Sequence, residues 1–434
     1  MALAEPPLHL HAATPPAHRD PNVLRWLAAY TASLIGDGVY FVALAWSAQR
    51  AAGPTEVGLV MAAGALPRAV LMLGGGVLAD RLDPRRVILG SDALRCLLIL
   101  SVAAAIALTT PALWLLVAVA LVFGAVDALF VPAVGALPPR ITGPDQLARV
   151  TGMRSLSMRL GQIAGPPLGG LAMGLGGPAA AFGVAGLLFA LSLPLLLGVR
   201  LRSLDAPARE GSPRPGTARE DLLDGLRYLG RHRLIGPLVA VGTVCELGLA
   251  GTLNVGMVLL NAERGWGPSG YGWIVACFGA GATAGAALLT VGRLPRAGLT
   301  TVGTLLVASA GAAAMGLVPS LWTATALAAL VGLTAGVSGS LTHALVQTAT
   351  DPAYLGRVTS VMMLALIGLA PLSYPVVGAA VGAWGAAPVF VACGAFSFLG
   401  ATLALLSEPV RRAELPVVTA ATPRPADAAD ARTR

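Results

Sequence analysis

The chain contains no lysine; all 29 of its basic residues are arginine. A Walker A phosphate loop sets a lysine on the phosphates, and Schiff-base chemistry with pyridoxal phosphate or retinal needs a lysine amine. An ATPase domain of that kind and both cofactors are therefore excluded from this chain. Charge of either sign is scarce, at 12% of 434 residues, where a soluble domain carries roughly 25%. Cysteine is scarce too. Cys96, Cys245, Cys277 and Cys393 each fall within an apolar run and show no paired spacing, so they read as small core residues, not disulfides or metal ligands.

Apolar residues make up 56% of the chain. They form uninterrupted runs of about 18 residues or more, each long enough to cross roughly 30 Å of hydrocarbon as a helix. A barrel would alternate apolar and polar positions. The sequence predicts an all-α polytopic membrane protein with spans at 24–48, 55–79, 87–108, 112–133, 152–173, 178–199, 234–258, 269–291, 299–317, 321–345, 359–382 and 386–407. With the N-terminus inside, only Arg50 and Arg264 fall in outer loops, as the positive-inside rule requires. The net charge of +8 thus reports orientation, and no nucleic-acid partner is expected.

The polar, arginine-rich segment 200–233 divides the spans six and six. The expected organisation is an N-terminal tail 1–23 without a cleavable signal, a six-helix half 24–199, the cytoplasmic segment 200–233, a second half 234–408 and a disordered tail 409–434. Leu222, Leu226 and Leu229 recur at helical spacing, with Glu220 and Asp221 before them and Arg231, His232 and Arg233 after. That order suits the helix dipole and predicts a short amphipathic helix on the cytoplasmic surface.

The halves repeat at a nearly constant offset. Leu147-Ala-Arg149-Val150-Thr151 matches Leu355-Gly-Arg357-Val358-Thr359, 208 residues on, and Pro167 and Gly170 match Pro375 and Gly378. Arg81-Leu82 is echoed by Arg293-Leu294, and Asp37 lands on Glu246, 209 residues on. Two parallel six-helix halves with a site between them follow.

After the second span the chain reads Gly76-Val-Leu78-Ala79-Asp80-Arg81-Leu-Asp83-Pro-Arg85-Arg86. This string resembles the signature loop of the major facilitator superfamily, with Asp83 where that family usually has glycine. The resemblance implies a gate on the cytoplasmic side. Asp80 would sit near the start of span eleven, and Arg85 or Arg81 would pair with an acid in span four, here Asp127. Span five carries Gly161, Gly165, Pro166, Pro167, Gly169 and Gly170, resembling the motif of facilitator antiporters; glycines four apart also let helices approach closely. Ser33-Leu-Ile-Gly36-Asp37-Gly38, Phe130-Val-Pro132-Ala133, Leu137-Pro-Pro-Arg140, Gln347 and Gly356-Arg357-Val358 resemble the drug:proton antiporter branch with enterobactin-exporter-like and macrolide-exporter-like members. The arginine-containing motif found in span four of many drug antiporters is missing, so its proton-coupling role is not carried over.

Ionisable residues within spans are costly and mark partners or function. Asp92 with Arg95, and Arg159, are expected as structural pairs near inner span ends. Asp37, Arg68 and Glu246 lie near mid-span and are the candidates for transport and proton coupling. Asp37 is expected to pair with Arg68. Glu246 has no evident partner, and removal from water favours its uncharged form. Trp26, Trp46, Trp266, Trp273 and Trp322 suit an interfacial belt, and His343 is expected as a packing residue.

These features predict a proton-coupled exporter of small, largely apolar molecules. It would be a monomer in the inner membrane with both termini cytoplasmic, and no cofactor or metal is expected. Its alternatives are an uptake or lipid-translocating facilitator and a non-transporting sensor or assembly partner.

Overall fold

The computed structural model describes residues 16–79, 83–109, 112–201, 218–291 and 296–415. Asp80 and Arg81 of the signature loop, its echo at Arg293-Leu294, the first part of the central segment and most of both tails lie outside the described residues. Among the described residues there is no strand.

The first half is built from α1 (Pro21–Ala51), α2 (Pro54–Ala79), α3 (Pro84–Leu108), α4 (Leu113–Ala136) and α5 (Leu147–Leu197). The 51 residues of α5 would span about 77 Å at 1.5 Å per residue, more than twice the hydrocarbon thickness. The chain breaks this length at Gly177, whose φ of 69° and ψ of −163° lie where a side chain is disfavoured. α5 is thus two passes, joined just before Pro178.

α6 (Ala218–Arg231) is the amphipathic helix expected from Leu222, Leu226 and Leu229. The second half comprises α7 (Ile235–Glu263), α8 (Gly267–Val291), α9 (Ala297–Leu317), α10 (Leu321–Ala349), α11 (Leu355–Trp384) and α12 (Ala386–Ala404). α7 holds a π-helical turn at Thr252–Gly256. α11 holds another at Leu364–Gly368, followed by a 3-10 turn at Ala370–Leu372. Pro371 has no N–H to continue the ladder there. Ten of these segments are long and apolar enough to cross a membrane by composition, and the 26-residue α2 joins them. With α5 counted twice, the described residues make twelve passes, six in each half.

Short polar ties hold one face of the bundle. Asn22 Nδ2 donates to the Arg200 carbonyl at 2.8 Å while the Arg200 N–H donates to Asn22 Oδ1 at 2.7 Å, joining the start of α1 to the end of α5. In the second half the Gly298 N–H donates to the Ala413 carbonyl at 3.0 Å, and Val410 is fully buried. Residues 408–415 thus fold back beneath α9, so the disorder expected from residue 409 does not hold for 409–415; the rest of the tail lies outside the described residues.

α6 docks on the start of α11: Tyr228 stacks on Tyr354 at 4.7 Å, and its hydroxyl accepts from the Asp351 N–H at 3.2 Å. Arg357 reaches Asp224 at 3.9 Å, and Leu229 is buried. Trp26 and Trp46 are buried inside the first half and do not form a belt, whereas Trp273 and Trp322 are exposed as a belt requires.

Candidate functional site

Within the first half, five ionisable side chains from four helices converge at one depth. Arg95 of α3 is at the centre, with no exposed surface. Its guanidinium lies 2.6 Å from Asp127 Oδ1 of α4, 3.6 Å from Asp37 Oδ1 of α1 and 3.6 Å from Asp92 Oδ1, one turn back on α3. Arg68 of α2 approaches the other Asp127 oxygen at 3.3 Å and remains 38% exposed. Asp92 Oδ2 accepts from the hydroxyls of Ser33 and Ser192, each at 2.6 Å. Aromatic rings complete the enclosure, with the guanidinium 4.2 Å from the centre of Phe130 and 5.1 Å from that of Phe123. A buried cation needs this density of partners, since one stranded charge costs several kcal/mol. With all five groups ionised, three carboxylates against two guanidiniums leave one net negative charge.

The expected pairings are corrected accordingly. Asp37 pairs with Arg95 and not with Arg68, which is held by Asp127. Asp127 likewise does not meet the loop arginine Arg85. It lies nine residues before the end of α4 at Ala136, about 14 Å at 1.5 Å per residue, which is too deep for that partner. Arg85 donates instead to the Leu197 carbonyl at 2.8 Å. Arg86 lies 4.0 Å from Asp83, and Asp83 is held by Arg140 at 3.2 Å. Asp92 and Arg95 do pair, though at the centre of a network and not as an isolated couple. Arg159 makes no ion pair among the described residues; it donates to Gln162 at 3.4 Å.

The second half is built differently at the matching depth. A cavity of about 430 Å³ opens between α7, α8, α9 and α10, with Leu366 of α11 at its margin. Its walls are mostly apolar, among them Phe278, Leu305 and Val331, with Asn254, Ser338, Thr342 and His343 as polar exceptions. Glu246 lines it and makes no ion pair or hydrogen bond among the described residues. His343, expected as a packing residue, belongs to the lining. Sequence reasoning placed a site between the halves, but this cavity lies inside the second half.

The halves meet along two seams, α5 with α8 and α2 with α11. The glycines of the antiporter-like motif divide between partners: Gly161, Gly165 and Gly169 face Leu34, Gly38 and Val39 of α1, while Gly170 faces Pro268 of α8. Ser269 donates to the Gly170 carbonyl at 3.2 Å. A Cβ on Gly272 would stand 2.6 Å from the Pro166 carbonyl oxygen, and one on Gly378 would stand 2.6 Å from that of Pro54. Pro54, Gly170, Pro268 and Gly378 all lie toward the ends of their helices away from the start of α1 and the end of α12. The halves are therefore pressed together on the side opposite those two ends. Gly76 lies in α2 near its other end.

The Major Facilitator Superfamily model matches residues 26–253 and 239–432. The enterobactin exporter EntS of Escherichia coli O1:K1 is 29% identical over 351 residues, covering 80% of this chain and 80% of that protein. The enterobactin exporter of Shigella boydii serotype 18 matches to the same extent. Among solved structures, a bacterial homologue of the human lysosomal transporter Spinster superposes with a TM-score of 0.69 at 15% identity, covering 92% of this chain and 98% of that one. The nucleoside transporter NupG superposes with a TM-score of 0.66 at 12% identity, covering 89% of this chain and all of that one. These structural likenesses concern the fold alone.

Proposed function

The chain belongs to the major facilitator superfamily, and from that premise we propose that it exports small, largely apolar molecules, such as drugs, antibiotics or natural products, in exchange for protons. The observation that carries this reading is Glu246, an acid with no counter-ion among the described residues, in the wall of an apolar cavity. Such a group is costly to keep charged in a membrane and serves a function by default; it can hold a proton in one state and release it in another. Similarity to proteins named as enterobactin exporters supports outward movement of a small molecule.

Transport proceeds by alternating access between the two halves. The termini face the cytoplasm of a cell whose plasma membrane the protein spans. The seams at Gly170–Pro268 and Pro54–Gly378 then close the outer side, leaving the cavity half accessible from within. In the opposite state the loop of Gly76, Asp80, Arg81, Arg85 and Arg86 closes the inner side, although Asp127 serves the buried cluster and not that loop. Glu246 handles the proton. Asp37, held by Arg95, fixes the first half.

Cells overproducing the protein should accumulate less of an apolar dye or antibiotic, and a protonophore should remove the difference. Efflux that persists without an ion gradient would rule out proton exchange, and uptake that rises with expression would favour an importer on the same scaffold.

A further inference from the structure

The two halves are related by an offset of 208–212 residues, and their interiors can be compared position by position. Asp37 corresponds to Glu246. Arg68 corresponds to 276–280, where Phe278 lines the cavity, and Arg95 to 303–307, where Leu305 does. Neither stretch contains a basic residue. Asp127 corresponds to 335–339, where Ser338 replaces a carboxylate, and Phe123 to 331–335, where Val331 replaces a ring. The first half thus fills its interior with a guanidinium enclosed by acids and aromatic rings. The second half keeps one acid, deletes both cations and shortens the walls, and a cavity stands where Arg95 would be.

We infer that this cavity is a binding site for an organic monocation with an apolar body, whose charged group takes beside Glu246 the place that Arg95 takes beside Asp37. Three observations converge on this. Glu246 has no ion pair or hydrogen bond among the described residues. The walls offer apolar surface and aromatic Phe278, against which a weakly hydrated cation packs favourably. The volume of about 430 Å³ falls within the roughly 300–1,000 Å³ of drug-sized pockets. Cys245 and His343 are the other titratable groups in the lining, and the Tyr374 hydroxyl of α11 interacts electrostatically with both Glu246 and Arg68. None of them supplies a fixed positive charge to the cavity.

The inference rests on the export reading but is tested by binding alone. Purified full-length protein is titrated calorimetrically, in separate experiments, with tetraphenylphosphonium and with tetraphenylborate, ions of the same shape and opposite charge that carry no titratable group. Wild type should bind the cation at least tenfold more tightly than the anion. Glu246→Gln, which keeps the size of the side chain, should weaken the cation tenfold or more and leave the anion no weaker. Val331→Phe, which narrows the cavity, should weaken both. Equal binding of the two ions by wild type, or unchanged cation binding by a folded Glu246→Gln protein, would overturn the inference while leaving export intact. Cation binding as described, with no effect of expression on dye accumulation, would overturn the export reading instead.

Discussion

Arg95 has three carboxylates within 3.6 Å and no contact with solvent. Removing one partner of a buried ion network leaves its counter-charges uncompensated, at a cost of about 3–5 kcal/mol. Arg95→Ala should therefore reduce the yield and thermal stability of purified protein sharply, whereas Arg68→Ala, at a half-exposed edge position, should do far less. Asp37→Asn should be tolerated better than Arg95→Ala, because Arg95 keeps Asp127 and Asp92. Adding Arg68→Ala to Asp37→Asn should bring no recovery, since Arg68 answers to Asp127; recovery would show that Asp37 and Arg68 are partners after all. The mid-span depth of Asp37 and Arg68 was legible in the sequence, because distance from a span end gives height in the membrane, whereas Asp92 and Arg95 were expected nearer the inner end and instead join the same layer. Their pairing was not, because height says nothing about which way a side chain faces around its helix. Arg95 was taken for one half of a local couple with Asp92, and its reach to α1 and α4 depends on packing that no i,i+3 spacing reveals.

At the scale of elements, small residues decide which helices touch. Apolar side chains gain nothing by leaving lipid for another apolar surface, so close backbone approach is what holds membrane helices together. The seam between α5 and α8 depends on it, since any Cβ at Gly272 would collide with Pro166 and Pro167. Gly272→Val should hold α8 away from α5 and lower transport tenfold or more with near-normal insertion. Gly183→Ala, on the second arm of α5 with open space around it, should transport normally. Wild-type rates from Gly272→Val would show that this seam does not need to close during the cycle. The glycines of α5 were evident from their four-residue spacing. Their division between α1 and α8 was not, because a small-residue face does not specify its partner. The same holds for α6: its amphipathic period was plain, but the Tyr228–Tyr354 stack that docks it joins residues 126 positions apart.

Across the whole molecule, the six-and-six division was readable from composition and from the near-constant offset between the halves. The π-helical turns in α7 and α11 were not, since they alter backbone bonding without altering hydropathy. The cavity was hidden for a different reason. Sequence motifs advertise what is present, whereas this site is made by what the second half lacks: two arginines, two aspartates and a ring. The arrangement leaves Glu246 as the lone acid in the lining of an apolar chamber, and the proposed coupling of proton movement to cargo movement runs through it. The direct measurement is proton flux in proteoliposomes of purified protein, followed with an internal pH indicator after adding a compound whose accumulation the protein lowers in cells. Wild type should move protons opposite to the compound, and Glu246→Gln should not. Movement of the compound by wild type with no accompanying proton signal, or an undiminished proton signal in Glu246→Gln, would contradict the account.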